Sequence, residues 1–157
     1  MLRDVRNEEL PVIRRWRNHP RVRAASFTTH EISRDEHTRW WAATLADATR
    51  RVLIYDHDGA PAGVVHYTDV LPGTARWGFY LDLDGLERAG TLLRAWVGLE
   101  RAAIEHAFGP LGLTTLCGRC WPATSRSCGC TGGSGSSRWT PTSGKWTGCR
   151  ATSWPSS

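Results

Sequence analysis

Three stretches of this chain collect residues able to do chemistry. The first, YLDLDGLERAGTLLRAW, begins at Tyr80 and ends at Trp96. A strand is expected to end at Asp82, Gly85 and Gly90 loosen the turn, and a helix is expected to begin near Thr91. Backbone N–H groups converge at a helix N-terminus, where the dipole favours negative charge, so this turn suits a phosphate, with Arg88 as an added donor. Its spacing is neither the dinucleotide fingerprint nor the P-loop, and an ordinary strand-to-helix connection stays open beside the anion reading.

The second is a pair of segments, WRNHPRVR and HEISRDEH, which crowd Arg17, Asn18, His19, Arg23, His30, Glu31, Glu36 and His37 around helix ends. Such groups can line a pocket, with His30 or Glu31 as proton acceptor. Equally, Asn18-His19-Pro20 can serve only to end a helix, and Glu36 only to cap one. The third stretch, CGRCWPATSRSCGCTGG, holds four of the five cysteines. Cys117 and Cys120 have zinc-ligand spacing, but Cys128 and Cys130 are closer together than the usual pair, and no metal is expected. His57, His66 and His106 have nothing at ligand spacing and read as turn, strand and helix surface residues.

The elements that must position these groups follow from periodicity. LRDV reads as a short strand, and NEELPVIRRWRNHP as a helix capped near Asn7 and stopped at Pro20. Ser33 followed by Glu36 is a capping box opening a second helix, with Trp40, Ala43 and Leu45 in its later turns. The period then changes. RVLIYDHDGAPAGVVHYTDV is strand, Asp-Gly turn, strand, and ARWGFYLDLD is a further strand, on which Trp77 and Phe79 point one way and Tyr80 the other. TLLRAWVGLERAAIEHAF is helical by composition and spacing, Gly109-Pro110 stops it, and LTTLCGRC reads as one more strand. The result is an α/β (α+β) fold, a mixed, mostly antiparallel sheet flanked by helices.

A chain of 157 residues, 40% hydrophobic, is long enough for one domain with its own core. There is no apolar leader and no run long enough to cross a membrane, so the cytoplasm is the expected location. All fifteen acidic residues precede Glu105 or are Glu105 itself, and four of the twenty basic ones follow Cys120, so residues 1–120 are nearly neutral. The net charge of +5 therefore marks no basic stripe, and neither nucleic acid nor membrane is an expected partner. Residues 121–157 lack Leu, Ile, Val and Phe altogether and are rich in Ser, Thr, Gly, Pro and Trp. Such a segment cannot build a core, so the expected division is a domain over 1–120 and a non-native or disordered tail over 121–157.

Taken in order, WRNHPRVR, HEISRDEHTRWW, PAGVVHYTDV and WGFYLDLDG resemble the GNAT superfamily of acyl-CoA N-acyltransferases. The likeness is strongest to the branch of ribosomal-protein N-terminal acetyltransferases and UDP-amino-sugar N-acetyltransferases of pseudaminic acid biosynthesis, and it covers residues 2 to about 120. It implies acetyl-CoA as donor and a primary amine of a small molecule as acceptor, possible homodimers, and no metal. A nucleotide-linked amino sugar is the first acceptor class, a protein N-terminus the second. It also implies that Leu86, Glu87, Arg88, Ala89, Gly90 and Thr91 take the pyrophosphate, and that the pantetheine arm lies along Phe79, Tyr80 and Leu81. The acceptor would meet Trp16, Arg17, Asn18 and Thr28, with His30 or Glu31 as base.

After Cys120 the resemblance stops, and the fold is expected to be incomplete. Family members continue there with an Asn after the strand, a helix bearing Leu and Arg, and a GF pair before the final strands. Codons that spell CWPATSRSCGCTGGSGS can, read one nucleotide earlier, spell VLAGNEPVLRLHRRFGF, which has all three features. The tail from about residue 118 is thus expected to be a frame-shifted text, and the chain as written an impaired enzyme or an inactive remnant. The nucleotide sequence tests this: a single-base shift should restore an open frame with that ending, and a frame that stays closed would refute it.

Overall fold

The structure is a computed structural model and describes residues 1–119, 136–140 and 145–150. Seven strands form one sheet in the order β1 to β7: Leu2–Asp4, Arg51–His57, Ala60–Leu71, Thr74–Leu81, Thr115–Arg119, Ser136–Thr140 and Lys145–Arg150. Every neighbouring pair is antiparallel except β4 and β5, which are parallel. That single parallel pair needs a crossover, and two helices supply it: α4 at Leu83–Arg88 and α5 at Leu92–Phe108. Before the hairpin come a 3-10 turn at Asn7–Glu9 and the helices α1 (Leu10–Asn18), α2 (Pro20–Ala24) and α3 (Arg34–Ala46).

Alternation along the strands divides the core in two. Leu53, Tyr55, Val65, Tyr67, Trp77 and Leu81 face α5, whose buried stripe is Ala95, Leu99, Ala103 and Ala107 at four-residue spacing. The small stripe lets the helix lie close to the sheet. Gly98 carries this furthest, since a Cβ there would run into the Tyr55 hydroxyl oxygen. The buried Tyr67 hydroxyl donates to the Ala103 carbonyl at 2.7 Å, tying β3 to the middle of α5. On the opposite face Ile54 and Val64 pack against Ile13 and Trp16 of α1.

Local chemistry explains the boundaries. Asp58 and Gly59 both adopt positive φ, 50° and 83°, the conformation of a two-residue hairpin turn whose twist matches its strands. The Ser33 hydroxyl oxygen accepts from the Glu36 amide at 3.2 Å, as the capping pattern predicts. The Glu36 carboxylate does not return to the cap but binds His30, so only half of the box forms.

The first helix stops before Pro20, at Asn18; His19 then turns extended, its ring nitrogen accepts from the Arg21 amide, and Pro20 opens a separate helix, α2. One expectation changes. The glycine-bearing connection after β4 is largely helix, because Asp82 caps it through the Gly85 amide. The other edge of β5 is paired: Leu116–Arg119 face Trp139–Ser136 of β6. Pairing of this kind uses main-chain groups alone, so an exposed edge accepts an extended segment with little regard to its side chains. Residues 120–135, including Cys120, Cys128 and Cys130, lie outside the described residues.

The N-terminal strand is fastened by one arginine. Arg3 donates through Nε to Asp56 at 2.7 Å and through Nη2 to Glu9 at 2.6 Å, joining β1, β2 and the turn before α1. Hydrogen bonding from Arg3 holds the Glu9 carboxyl below its ordinary value of 4.5. A depressed folded pKa contributes stability that is complete above the unfolded value and is lost as pH falls through the folded one. Glu9→Gln should therefore lower the thermal midpoint near neutral pH and flatten its decline below about pH 4.5. Parallel acid curves for the two proteins would contradict this role.

Candidate active site

Past Trp77 the sheet opens. Pairing of β4 with β5 runs from Thr74 opposite Thr115 to Trp77 opposite Gly118 and stops, while β4 stays on β3 as far as Leu81 opposite Gly63. On that edge of Gly78–Leu81 no described strand takes the main-chain groups. An extended ligand can therefore lie there as a strand would, hydrogen-bonding to backbone.

The N-terminus of α5 stands beyond the opening. The backbone N–H groups of Leu86, Ala89, Gly90 and Thr91 are already used, donating to carbonyls of Asp82, Gly85, Glu87 and Leu86 at 2.9 to 3.1 Å. Leu86 is core, and Glu87 is ion-paired with Arg21. What remains for an anion is the first turn of α5, Leu92 to Arg94, whose N–H groups have no carbonyl one turn earlier in the helix. Arg88 is exposed on α4, and Gly90 takes the positive φ of 67° that turns the chain from α4 into α5.

On the α1 and α3 face, a cavity of about 250 Å³ lies between these helices and the sheet. Two cross-strand rows of the sheet contribute to it: Val52 and His66 from the row that ends at Gly78, and Val64 and Tyr80 from the row that begins at Ile54. His66, Val64, Val52 and Tyr80 reach the cavity from the sheet, and Arg17, Thr28, Glu36, His37, Trp40 and Thr44 from the helices and their connection.

Several polar groups on these walls have no partner among the described residues. Arg17 donates through Nη2 to the Thr28 carbonyl at 3.1 Å, but its Nη1 is buried and unbonded. His37 Nε2 and Thr44 Oγ1 are likewise buried and unbonded. Burial costs such groups heavily unless something else satisfies them, so three of them on one cavity wall describe a site shaped for a polar occupant. Burial pulls the His37 imidazole below its ordinary range, with Arg14 adding to it, and pulls down the Arg17 guanidinium. Burial, then Arg17, push the His66 imidazole down to about 4, and burial pushes the Tyr80 phenol up.

The nominated residues divide sharply. Arg17, Thr28 and Tyr80 line the cavity. Trp16 is only 4% exposed and belongs to the core with Ile13, Ile54 and Val64. Asn18 makes a two-way bond to the backbone of Ile32, 2.8 Å each way, and so staples the α1–α3 connection to α1. His30 and Glu31 are exposed and off the cavity, with His30 paired to Glu36 at 3.0 Å. Phe79 points to the other face, stacked on Trp77 at 5.5 Å and edge-on to Trp96 at 5.2 Å, and Leu81 is core.

Sequence reasoning passed over Thr44 and His66, and named His37 only among the groups crowding the helix ends. His66 reads as a strand surface residue because nothing stands at metal-ligand spacing from it. The alternation of Val64, His66 and Thr68 was the available signal, since it places all three on the face that α1 and α3 cover. Among the described residues, no group of three His, Cys, Asp or Glu side chains is placed to hold a metal, and no helix is long and apolar enough to cross a membrane.

Comparison with known proteins agrees with this geometry. The chain is similar in structure to the Campylobacter jejuni N-acetyltransferase PseH, solved also in complex with acetyl coenzyme A. Identity is 18%, the TM-score 0.56, and the match spans 82% of this chain and 81% of that one. It is also similar to the spermidine N-acetyltransferase from Vibrio cholerae in complex with CoA and spermine, with 15% identity, a TM-score of 0.62, and coverage of 82% and 75%. A search of curated protein sequences finds no match. The profile described as Acetyltransferase (GNAT) domain matches residues 1–135, most of the chain, and with it the opened sheet, the α5 N-terminus and the cavity acquire a common explanation: this chain belongs to the GNAT acetyltransferase family.

Proposed function

We propose that the protein transfers the acetyl group of acetyl-CoA to the primary amine of a small acceptor rich in hydroxyl or phosphate oxygens, a nucleotide-linked amino sugar being the class that fits best. One observation carries the acceptor reading. The unbonded Arg17 Nη1, His37 Nε2 and Thr44 Oγ1 share one cavity, and oxygen atoms would satisfy all three.

A polyamine fits these walls poorly. Arg17 and Arg50 both line the cavity, and its one carboxylate among the described residues, Glu36, is engaged by His30. Two cations and a single committed anion would repel a polycation at close range. A protein N-terminus, the second reading of the sequence, has no comparable observation in its favour.

The donor reading rests on the open edge of β4 and on the first turn of α5. The pantetheine arm would pair along Gly78–Leu81, leaving Tyr80 on the cavity side and Phe79 on the other. The pyrophosphate would take the N–H groups of Leu92 to Arg94, where the dipole favours anions. Within the Leu86–Thr91 segment, Arg88 remains the residue able to add a charge, while Leu86, Ala89, Gly90 and Thr91 shape the turn.

Release of free thiol from acetyl-CoA, followed with glucosamine, a UDP-linked amino sugar, spermidine and a short peptide as acceptors, tests both halves. The UDP-linked amino sugar should give the highest kcat/KM. Arg17→Met should raise its KM about tenfold or more, as expected for the loss of a charged hydrogen bond, and leave acetyl-CoA affinity unchanged. Preference for spermidine, or indifference to Arg17, would overturn the acceptor assignment.

A further inference from the structure

We infer that His66 is the proton acceptor of the transfer reaction, taking the proton that the attacking amine sheds as the new bond forms; this rests on the acetyl-transfer reading above. The argument starts from register. His66 lies between Val52 and Gly78 in one cross-strand row, and Gly78 is the first residue of β4 beyond the last one paired with β5. A Cβ built on Gly78 would stand 2.7 Å from His66 Nε2 and 2.9 Å from its Cε1. The imidazole therefore occupies the space that a side chain at Gly78 would fill, and its Nε2 is held at the mouth of the opened sheet. The same ring lines the acceptor cavity. It is thus a titratable side chain that touches both the acceptor space and the place where β4 becomes free to hold a thioester.

The neighbours leave the role to His66. From α3, Glu36 is bonded to His30, and His37 stands on the helical wall with its ring 5.1 Å from that of Trp40. From α1, Arg17 supplies a positive charge, and Arg50 lines the same cavity. From β4, Tyr80 stays protonated, since burial raises its pKa, so it can donate but not accept. Within β3, the Tyr67 hydroxyl is committed to Ala103. His66 makes no side-chain hydrogen bond among the described residues and is neutral near pH 7, so the lone pair of one ring nitrogen is available.

The step balances. The free-base amine nitrogen attacks the thioester carbonyl carbon, the carbon–nitrogen bond forms, and the proton leaves nitrogen for the imidazole. The carbon–sulfur bond breaks with its electron pair on sulfur, and the imidazolium gives up its proton to the thiolate, directly or through solvent. The products are an amide and CoA, with His66 returned to its starting state.

The test uses the full chain with acetyl-CoA and the UDP-linked amino sugar. His66→Ala should lower kcat by about a hundredfold or more, leave the calorimetric affinity for acetyl-CoA unchanged, and regain rate on addition of imidazole. With substituted imidazoles the rescued rate should vary with their pKa, which a merely structural role would not produce. Gly78→Ala, which displaces the ring without removing it, should lower kcat about a hundredfold through misplacement alone. A His66→Ala protein within about threefold of the parent rate, or one that is slow, binds acetyl-CoA normally and is indifferent to imidazole, overturns the assignment to His66 while leaving the acetyl-transfer reading intact. A parent chain that moves acetyl to none of the amines overturns that reading itself.

Discussion

The end of the β4–β5 ladder at Trp77 and Gly118 is the constraint on which the rest of the molecule depends. Beyond it, Gly78–Leu81 of β4 present an edge on which no described strand takes the main-chain groups, a state that is costly unless something extended lies there. The crossover that makes the pair parallel also brings the N-terminus of α5 to the same end of the sheet. Chain topology thus places an unpaired strand edge and an anion-favouring helix end together. Side chains refine this arrangement but do not create it.

The two faces of β4 then divide the labour. Trp77 and Leu81 are buried toward α5, with Phe79 stacked beside Trp77, and the small stripe of α5 brings the helix close enough to hold the strand in place. Gly78 and Tyr80 face the opposite way, beside His66 and Val64, toward α1 and α3. On the first face the Tyr67 hydroxyl is bonded to the Ala103 carbonyl. On the second face Arg17, His37 and Thr44 keep buried atoms unbonded. Stability is concentrated on one side of the sheet and reactivity on the other, and the same strand serves both.

Much of the scaffold was legible because its signals are local. The Asp58-Gly59 turn, the Ser33 cap, the apolar spacing of α5 and the alternation of Trp77, Phe79 and Tyr80 each lie within a few neighbouring residues. The candidate site was legible only in part, because its decisive relations are distant in the chain. That His66 fills the space above Gly78 depends on strand register, which no short window contains. Asn18 and Trp16 misled for the opposite reason: residues able to bind a ligand were needed locally, one to staple Ile32 and the other to fill the minor core. The α4 segment misled through its glycines, whose permissiveness suggested a loop where Asp82 provides a helix cap.

The most direct test of the account is to map which backbone amides respond to acetyl-CoA in an NMR titration of the isotopically labelled protein. Acetyl-CoA held along the opened strand should shift the amides of Gly78 to Leu81 and of Leu92 to Arg94, and leave those of the hairpin turn at Asp58 and Gly59 in place. Saturable shifts confined to other surfaces, with β4 and the start of α5 unmoved, would contradict it.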